Sequence, residues 1–259
     1  MKKVLAILLA VMLLAALCTG CNSGTESKYN TIEDGKLIMS TNAAFPPYEM
    51  TDDDGNYIGI DVEVAQAIAD KLGLELVIDN MGFTAALEAA QNGKSDMVMA
   101  GVTVTDDRLL VMDFSDSYAT GIQVVIVPED SDITTLDDLE GKIIGTQMGT
   151  TGFIYASDTP ENGGYGEDNV IAYDNGITAV QALMNGQVDA VIIDNAPAQE
   201  FVNSNPGLKI LDTEWLTENY AIGFQKGNTE LVEAVNTALA ELIEDGTVQS
   251  IVDKYISAE

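Results

Sequence analysis

A ten-residue pattern that occurs twice constrains the fold of this chain more than any other feature. Residues 89–98 read AAQNGKSDMV and residues 182–191 read ALMNGQVDAV, an offset of 93 residues. Each copy ends an apolar helical run with Asn-Gly, allows two residues, places an Asp, and enters an apolar stretch that reads as a buried strand. Glycine belongs there because it takes the left-handed backbone that stops a helix at little steric cost. Helix–turn–strand units are common, so a single copy would say little. Two copies with one spacing predict two similar α/β lobes.

The flanking sequence agrees. Strands are expected at 37–41, 74–78, 96–100, 123–127, 143–146, 170–173, 188–193 and 221–225. Val62, Ala65, Ala69 and Leu72 share a helical face that stops at Gly73. Leu231, Val235, Ala238, Leu242 and Ile243 mark a long amphipathic helix, and 248–256 a short one. The two expected strands of the repeat break at Ala100-Gly101 and at Asp194-Asn195. Ligands of open α/β sheets sit beyond the carboxyl ends of strands, so the two breaks are expected to face each other across a cleft.

Composition narrows the chemistry. Lys and Arg number 11 and Asp and Glu 42, a net charge of −31, and histidine is absent. A polyanion of this kind is repelled by nucleic acid. Ser-His-Asp, Cys-His and His-ligated metal chemistry are excluded with the histidines. The run Asp52-Asp53-Asp54-Gly55-Asn56 lacks the spacing of a calcium loop and reads as a solvated turn.

Lys2 and Lys3 precede an apolar run, 4–17, too short to span a membrane. Leu17-Cys18-Thr19-Gly20-Cys21 follows. It resembles a bacterial lipobox, with Cys18 departing from the usual Leu; the alternative is a plain secretory signal. The lipobox reading makes 1–20 a signal peptide and Cys21 a lipid-carrying (palmitate-bearing) N-terminus. Residues 21–30 become a flexible tether.

The candidate ligand-holding residues cluster near the two breaks. Arg108 is the sole arginine, set just after Thr105, an expected N-cap with acids behind it. It is either a surface ion pair or a bidentate carboxylate clamp. Asp194 ends the run VDAVIID and is either an acceptor for an ammonium or a helix cap. Gly149-Thr150-Thr151-Gly152 offers amides and hydroxyls to an anion. Phe45, in the stiff Pro46-Pro47 loop, and Phe83 are either core or cleft wall.

Taken together, TNAAFPPYE, GIDVEVAQAIADKLG, AGVTVTDDR, DFSDSYATG, LDDLEGKIIGTQMGTT, QVDAVIID and ELIEDGTVQSIVDKY resemble the bacterial extracellular solute-binding proteins that feed amino-acid ABC transporters, over 36–256. The resemblance implies a two-lobed periplasmic-binding fold of type II-like architecture, with two hinge strands. Lobe one would be 31–120 plus 221–259, and lobe two 121–220. It implies a lipid-anchored, extracytoplasmic monomer, with a permease partner and no cofactor, metal or nucleic acid. Arg108 would clamp the ligand α-carboxylate, helped by the backbone of Thr103 and Thr151, with Thr150 a further ligand-binding position. Asp194 would hold the α-ammonium with the Ala100–Gly101 backbone. Phe45 and Phe83 would sandwich the side chain, and Asn42 and Gln147 would face its far end. Those two amides favour a polar uncharged ligand, then a cationic one, with anionic ligands last. A dehydratase-like cleft enzyme and a ligand-sensing ectodomain are the competing readings. Against the first, no acid is placed for catalysis apart from those assigned to binding. Against the second, no transmembrane or signalling segment follows the second lobe.

Overall fold

The computed structural model describes residues 29–213 and 215–256. The expected signal peptide, Cys21 and all but the last residues of the tether lie outside the described residues.

The first lobe opens with β1 (Lys36–Thr41), a short hairpin of β2 (Met50–Thr51) and β3 (Tyr57–Ile58), and helix α1 (Ile60–Leu72). The acidic run is the hairpin turn: the Asp52 carboxylate accepts from the amides of Asp54 and Asn56. Helix α1 buries Ile60, Val64, Ala65, Ile68 and Ala69 and stops at Gly73, whose φ of 72° supplies the left-handed cap. Then come β4 (Glu75–Asn80), α2 (Phe83–Gln91), β5 (Met97–Val98) and the short α3 (Asp106–Val111). The long β6 (Met112–Pro128) leads into the second lobe. There β7 (Ile144–Gln147), α4 (Thr151–Ser157), β8 (Val170–Tyr173), α5 (Gly176–Met184), β9 (Ala190–Asp194), α6 (Asn195–Ser204) and β10 (Leu208–Ile210) follow. Strand β11 (Leu216–Gln225) returns to the first lobe, and α7 (Thr229–Glu244) and α8 (Thr247–Tyr255) close it.

The main sheet has the order β4-β1-β5-β11-β6-β9-β7-β8, with β10 on β6. In each lobe a first strand is flanked by two parallel partners: β1 by β4 and β5, β7 by β8 and β9. Strands β6 and β11 run antiparallel from Gln225 opposite Met112 to Leu216 opposite Gln123. Beyond that point β6 pairs with β9 and β10. These two strands join the lobes, and their register shifts at Tyr220/Ala221 and Ala221/Gly223.

The continuous apolar runs are explained by burial on both faces. Val124 and Ile126 of β6 point into a core shared with Val191 and Ile193 of β9. Val125 and Val127 point the other way, with Ala190 and Ile192. Each fully buried aliphatic side chain contributes about 1.5–3 kcal/mol.

The sequence echo is a structural echo. Asn92 and Asn185 cap α2 and α5, and Gly93 and Gly186 follow with φ of 65° and 66°. The next amides turn back alike, Lys94 N to Ala89 O and Gln187 N to Ala182 O. Asp96 and Asp189 then each clamp the neighbouring strand in both directions. Their amides donate to Ile38 O and Ile143 O, and their carboxylates accept from Ile38 N and Ile143 N at 2.7 and 2.8 Å.

Three expectations need correction. The strand expected at 96–100 is ordered only over Met97–Val98, because the chain turns away at Gly101, where φ is 53°. The strands expected at 123–127 and 221–225 are parts of longer ones, since residues 112–122 and 216–220, of mixed polar and apolar character, lie on the joining ladder. Ile243 is 48% exposed, because Leu242 beside it takes the core-facing position of α7.

Candidate functional site

Asn42, Phe45, Phe83, Ala100, Gly101, Thr103, Arg108, Gln147, Thr150, Thr151 and Asp194 all line one cleft between the lobes. Glu49 completes the lining.

Arg108 is the third residue of α3. Thr105 caps the helix by accepting from Arg108 N at 3.2 Å, which fixes where the side chain starts. The guanidinium is 9% exposed and makes no ion pair among the described residues, so the surface-pair reading fails. It donates to Thr103 O in its own lobe at 2.8 Å and to Gly149 O in the other lobe at 3.1 Å. Its carbon lies 5.6 Å from the centre of the Phe83 ring, within cation–π range. Burial lowers its pKa, while Glu218, Tyr155 and Asp194 act in the opposite direction. Gly149 has φ of 78°, and a Cβ there would lie 2.7 Å from Thr84 Oγ1 across the interface. A side chain at 149 would therefore part the lobes where Arg108 joins them.

Asp194 occupies the N-cap position of α6 but makes no side-chain cap bond. Its Oδ1 instead accepts from the Tyr220 hydroxyl. Burial and the nearby Glu218 raise its pKa to about 7. Gly101, at the other break, is tied to the first lobe's acids: its N–H donates to Asp61 Oδ2 at 2.9 Å. A Cβ at Gly101 would lie 2.8 Å from the Phe45 ring, so the loop and the ring pack only through glycine.

At the far end the two amides meet across the cleft. Gln147 Nε2 donates to Asn42 Oδ1 at 2.9 Å, and Asn42 Nδ2 donates to Met81 O at 2.9 Å. Thr150 is occupied by local structure, its hydroxyl donating to Gln147 O and accepting from Phe153 N to start α4.

Three neighbours of the cleft residues escaped the sequence reading. Glu218, 4% exposed on β11, accepts from Thr103 Oγ1, Gln123 Nε2 and Thr151 Oγ1 at 3.2, 2.9 and 2.9 Å. One carboxylate oxygen thus holds hydroxyls from both lobes. Tyr220, two residues on, is the partner of Asp194. Glu49 ends the motif TNAAFPPYE and is fully buried. A charged residue closing an apolar Pro-rich run was the available signal for Glu49. Glu218 and Tyr220 sit in LTENY, which carries no such signal.

A family model described as bacterial extracellular solute-binding proteins, family 3, matches residues 37–258. The arginine-binding extracellular protein ArtP of Bacillus subtilis (strain 168) is 34% identical over 265 residues, covering 100% of both chains. A solved structure of an ancestral arginine-binding protein bound to arginine is 40% identical with a TM-score of 0.80, covering 86% of this chain and 99% of that one. The structure of an ancestral arginine-binding protein bound to glutamine is 39% identical with a TM-score of 0.81, covering 87% and 100%.

Proposed function

The chain belongs to the bacterial extracellular solute-binding proteins of family 3, and from that premise we propose that it captures an L-α-amino acid in the inter-lobe cleft and hands it to a membrane permease. The observation that carries the reading is the pairing of one buried guanidinium on the first lobe, Arg108, with one buried carboxylate on the second, Asp194, in a single cleft. An amino acid is a zwitterion, and its two charged groups need two desolvated partners at fixed separation. Arg108 takes the α-carboxylate with Thr103, Thr150 and Thr151 beside it. Asp194 takes the α-ammonium near Ala100–Gly101. Phe45 and Phe83 grip the side chain, and the Asn42–Gln147 pair meets its end.

Because the two charge partners belong to different lobes, the ligand's binding energy holds the closed state. The moving bodies are 31–120 with 221–259, and 121–220, turning about β6 and β11. The amide pair both donates and accepts, which favours a polar uncharged side chain. A cationic side chain is the second reading, favoured by the aromatic faces of Phe45 and Phe83 and by the strongly acidic chain. The relatives named for arginine and the ancestral structure holding glutamine fit either. An anionic side chain would meet no second cation.

Calorimetry over the twenty amino acids, cystine and ornithine, on refolded ligand-free protein, tests the reading. Glutamine or arginine is expected to bind tightest, and tightest binding of glutamate would overturn the ordering. The chain acts as a monomer anchored through a lipid on Cys21, so Cys21→Ala releases it from the membrane fraction; continued fractionation with membranes defeats that assignment.

A further inference from the structure

Glu49 lines the cleft together with Asp194. Its backbone is pinned on both sides: its N–H donates to Phe45 O at 3.1 Å and its carbonyl accepts from Phe45 N at 2.9 Å. The side chain is fully buried, and no N–H or O–H group among the described residues reaches either carboxyl oxygen. An ionised carboxylate so placed would be desolvated with nothing in return.

The groups beside it are acids and phenols: Asp61 from α1, Asp194 from β9, Tyr48 from its own loop and Tyr118 from β6. Neither phenol reaches the Glu49 carboxyl oxygens. Tyr118 donates to Asp61 Oδ1 at 2.6 Å, and Tyr220 donates to Asp194. Asp61 also receives the Gly101 amide on Oδ2. Asp61 is thus the better-supplied acid of the Glu49–Asp61 pair, and a proton shared between them resides on Glu49, donated to Asp61. Burial pushes both acids above the usual carboxylate range, and Asp61 adds to the rise of Glu49. One Glu49 oxygen is then left without a donor, at the cleft wall that also holds Asp194.

We propose that Glu49 is a further positioning residue of the ammonium subsite, its carboxyl O–H donating to Asp61 and its other oxygen accepting a hydrogen bond from the ligand α-ammonium alongside Asp194. This rests on the amino-acid reading above. The ammonium contact is then relayed through Glu49 and Asp61 to Gly101 of the first lobe and Tyr118 of the joining strand β6. Glu49 acts as a neutral acid, so its amide isostere can replace it.

Two variants and two probes test this. Glu49→Gln keeps a donor for Asp61 and an acceptor for the ligand, and its Kd for L-glutamine and L-arginine should stay within about threefold of the original. Glu49→Leu removes both and should weaken those amino acids by roughly 10–100-fold, while their deamino analogues, which lack the ammonium, lose little. Three results would overturn the proposal: Glu49→Leu binding normally, Glu49→Leu losing amino acid and deamino analogue equally, or Glu49→Gln failing as badly as Glu49→Leu. If Glu49→Leu does not fold, infrared difference spectra decide. A protonated-carboxyl C=O band at neutral pH, absent in Glu49→Gln and shifted by ligand, supports the assignment; its absence from the original protein defeats it. Failure of the original protein to bind any amino acid would defeat the underlying reading instead, and the ligand-free band would still report the Glu49 proton.

Discussion

The two copies of the repeated unit build the same scaffold and deliver opposite charges from it. Both turn at Asn-Gly with matching φ, and both clamp the adjacent strand through an Asp. Their exits differ. In the second lobe β9 runs straight to Asp194 and α6 begins at the next residue, so a strand-end side chain faces the cleft. In the first lobe β5 stops at Val98, and residues 99–105 intervene before the short α3 that carries Arg108. One lobe thus meets the cleft with a side chain at the strand end. The other meets it with loop backbone and then a guanidinium reaching back, over Phe83 and onto Gly149. The difference teaches that the repeat sets the position of a site, and the length of the exit sets which chemical group occupies it.

Breaking the two ends separately should expose that division. The largest effect is expected for Arg108→Ala, because it removes the sole guanidinium from a buried, hydrogen-bonded position. Truncating one member of such a pair costs about 2–5 kcal/mol of binding, with far-UV circular dichroism unchanged. Calorimetry giving near-normal affinity would end the assignment of the first lobe's exit.

Asp194→Asn should cost less, about 1.5–3 kcal/mol, the range for a hydrogen bond to a charged group, and should differ in kind. The Asp194 carboxyl has a folded-state value of about 7 against an ordinary 3.8. An acid raised in this way binds extra proton in the folded protein. Its contribution to stability is complete below pH 3.8 and is lost as pH rises to about 7. The ligand-free protein should therefore melt lower at pH 7.5 than at pH 5. Amino-acid affinity should run the other way, rising through pH 7 as Asp194 ionises to meet the ammonium. Titrations from pH 5 to 8 should show this slope flattened in Asp194→Asn; an identical slope in both proteins would place the titrating group elsewhere. Arg108 stays charged across that range, whereas Asp61, which holds the Gly101 amide and is raised by burial to about 6, titrates within it, so a residual slope in Asp194→Asn belongs to that acid.

The smallest effect concerns the scaffolds themselves. Asp96 is buried and accepts from both Ile32 N and Ile38 N, whereas exposed Asp189 accepts from Ile143 N alone. Asp96→Ala should cost about 1–3 kcal/mol of stability for the amides left unpaired in the interior. Asp189→Ala should cost clearly less, because water replaces its carboxylate. Urea titrations showing equal losses would mean that burial does not separate the two clamps.

Much of this was legible in the residues. The repeat, the glycine stops and the N-cap at Thr105 are interactions among near neighbours, and their spacing is visible in one dimension. The cleft-lining set was legible through family motifs at both breaks. Glu49 was overlooked although its motif was read, because nothing local to FPPYE reports that Asp61 and Asp194 will lie beside it. Glu218 and Tyr220 were overlooked because LTENY looks like an exposed polar strand until β6 and β11 cross between the lobes.

By itself the sequence determined two matched α/β units, where each ends, and that one arginine and one terminal aspartate stand just past those ends. These follow from periodicity, left-handed glycine and capping, all of which act over a few residues. Only the tertiary structure decided that Arg108 bonds across to Gly149, that Asp194 is held by Tyr220 rather than capping its helix, and that Glu49 is enclosed among acids. Those outcomes depend on desolvation and on partners 12 to 145 positions away in the chain, and no local pattern encodes how much water such groups will lose.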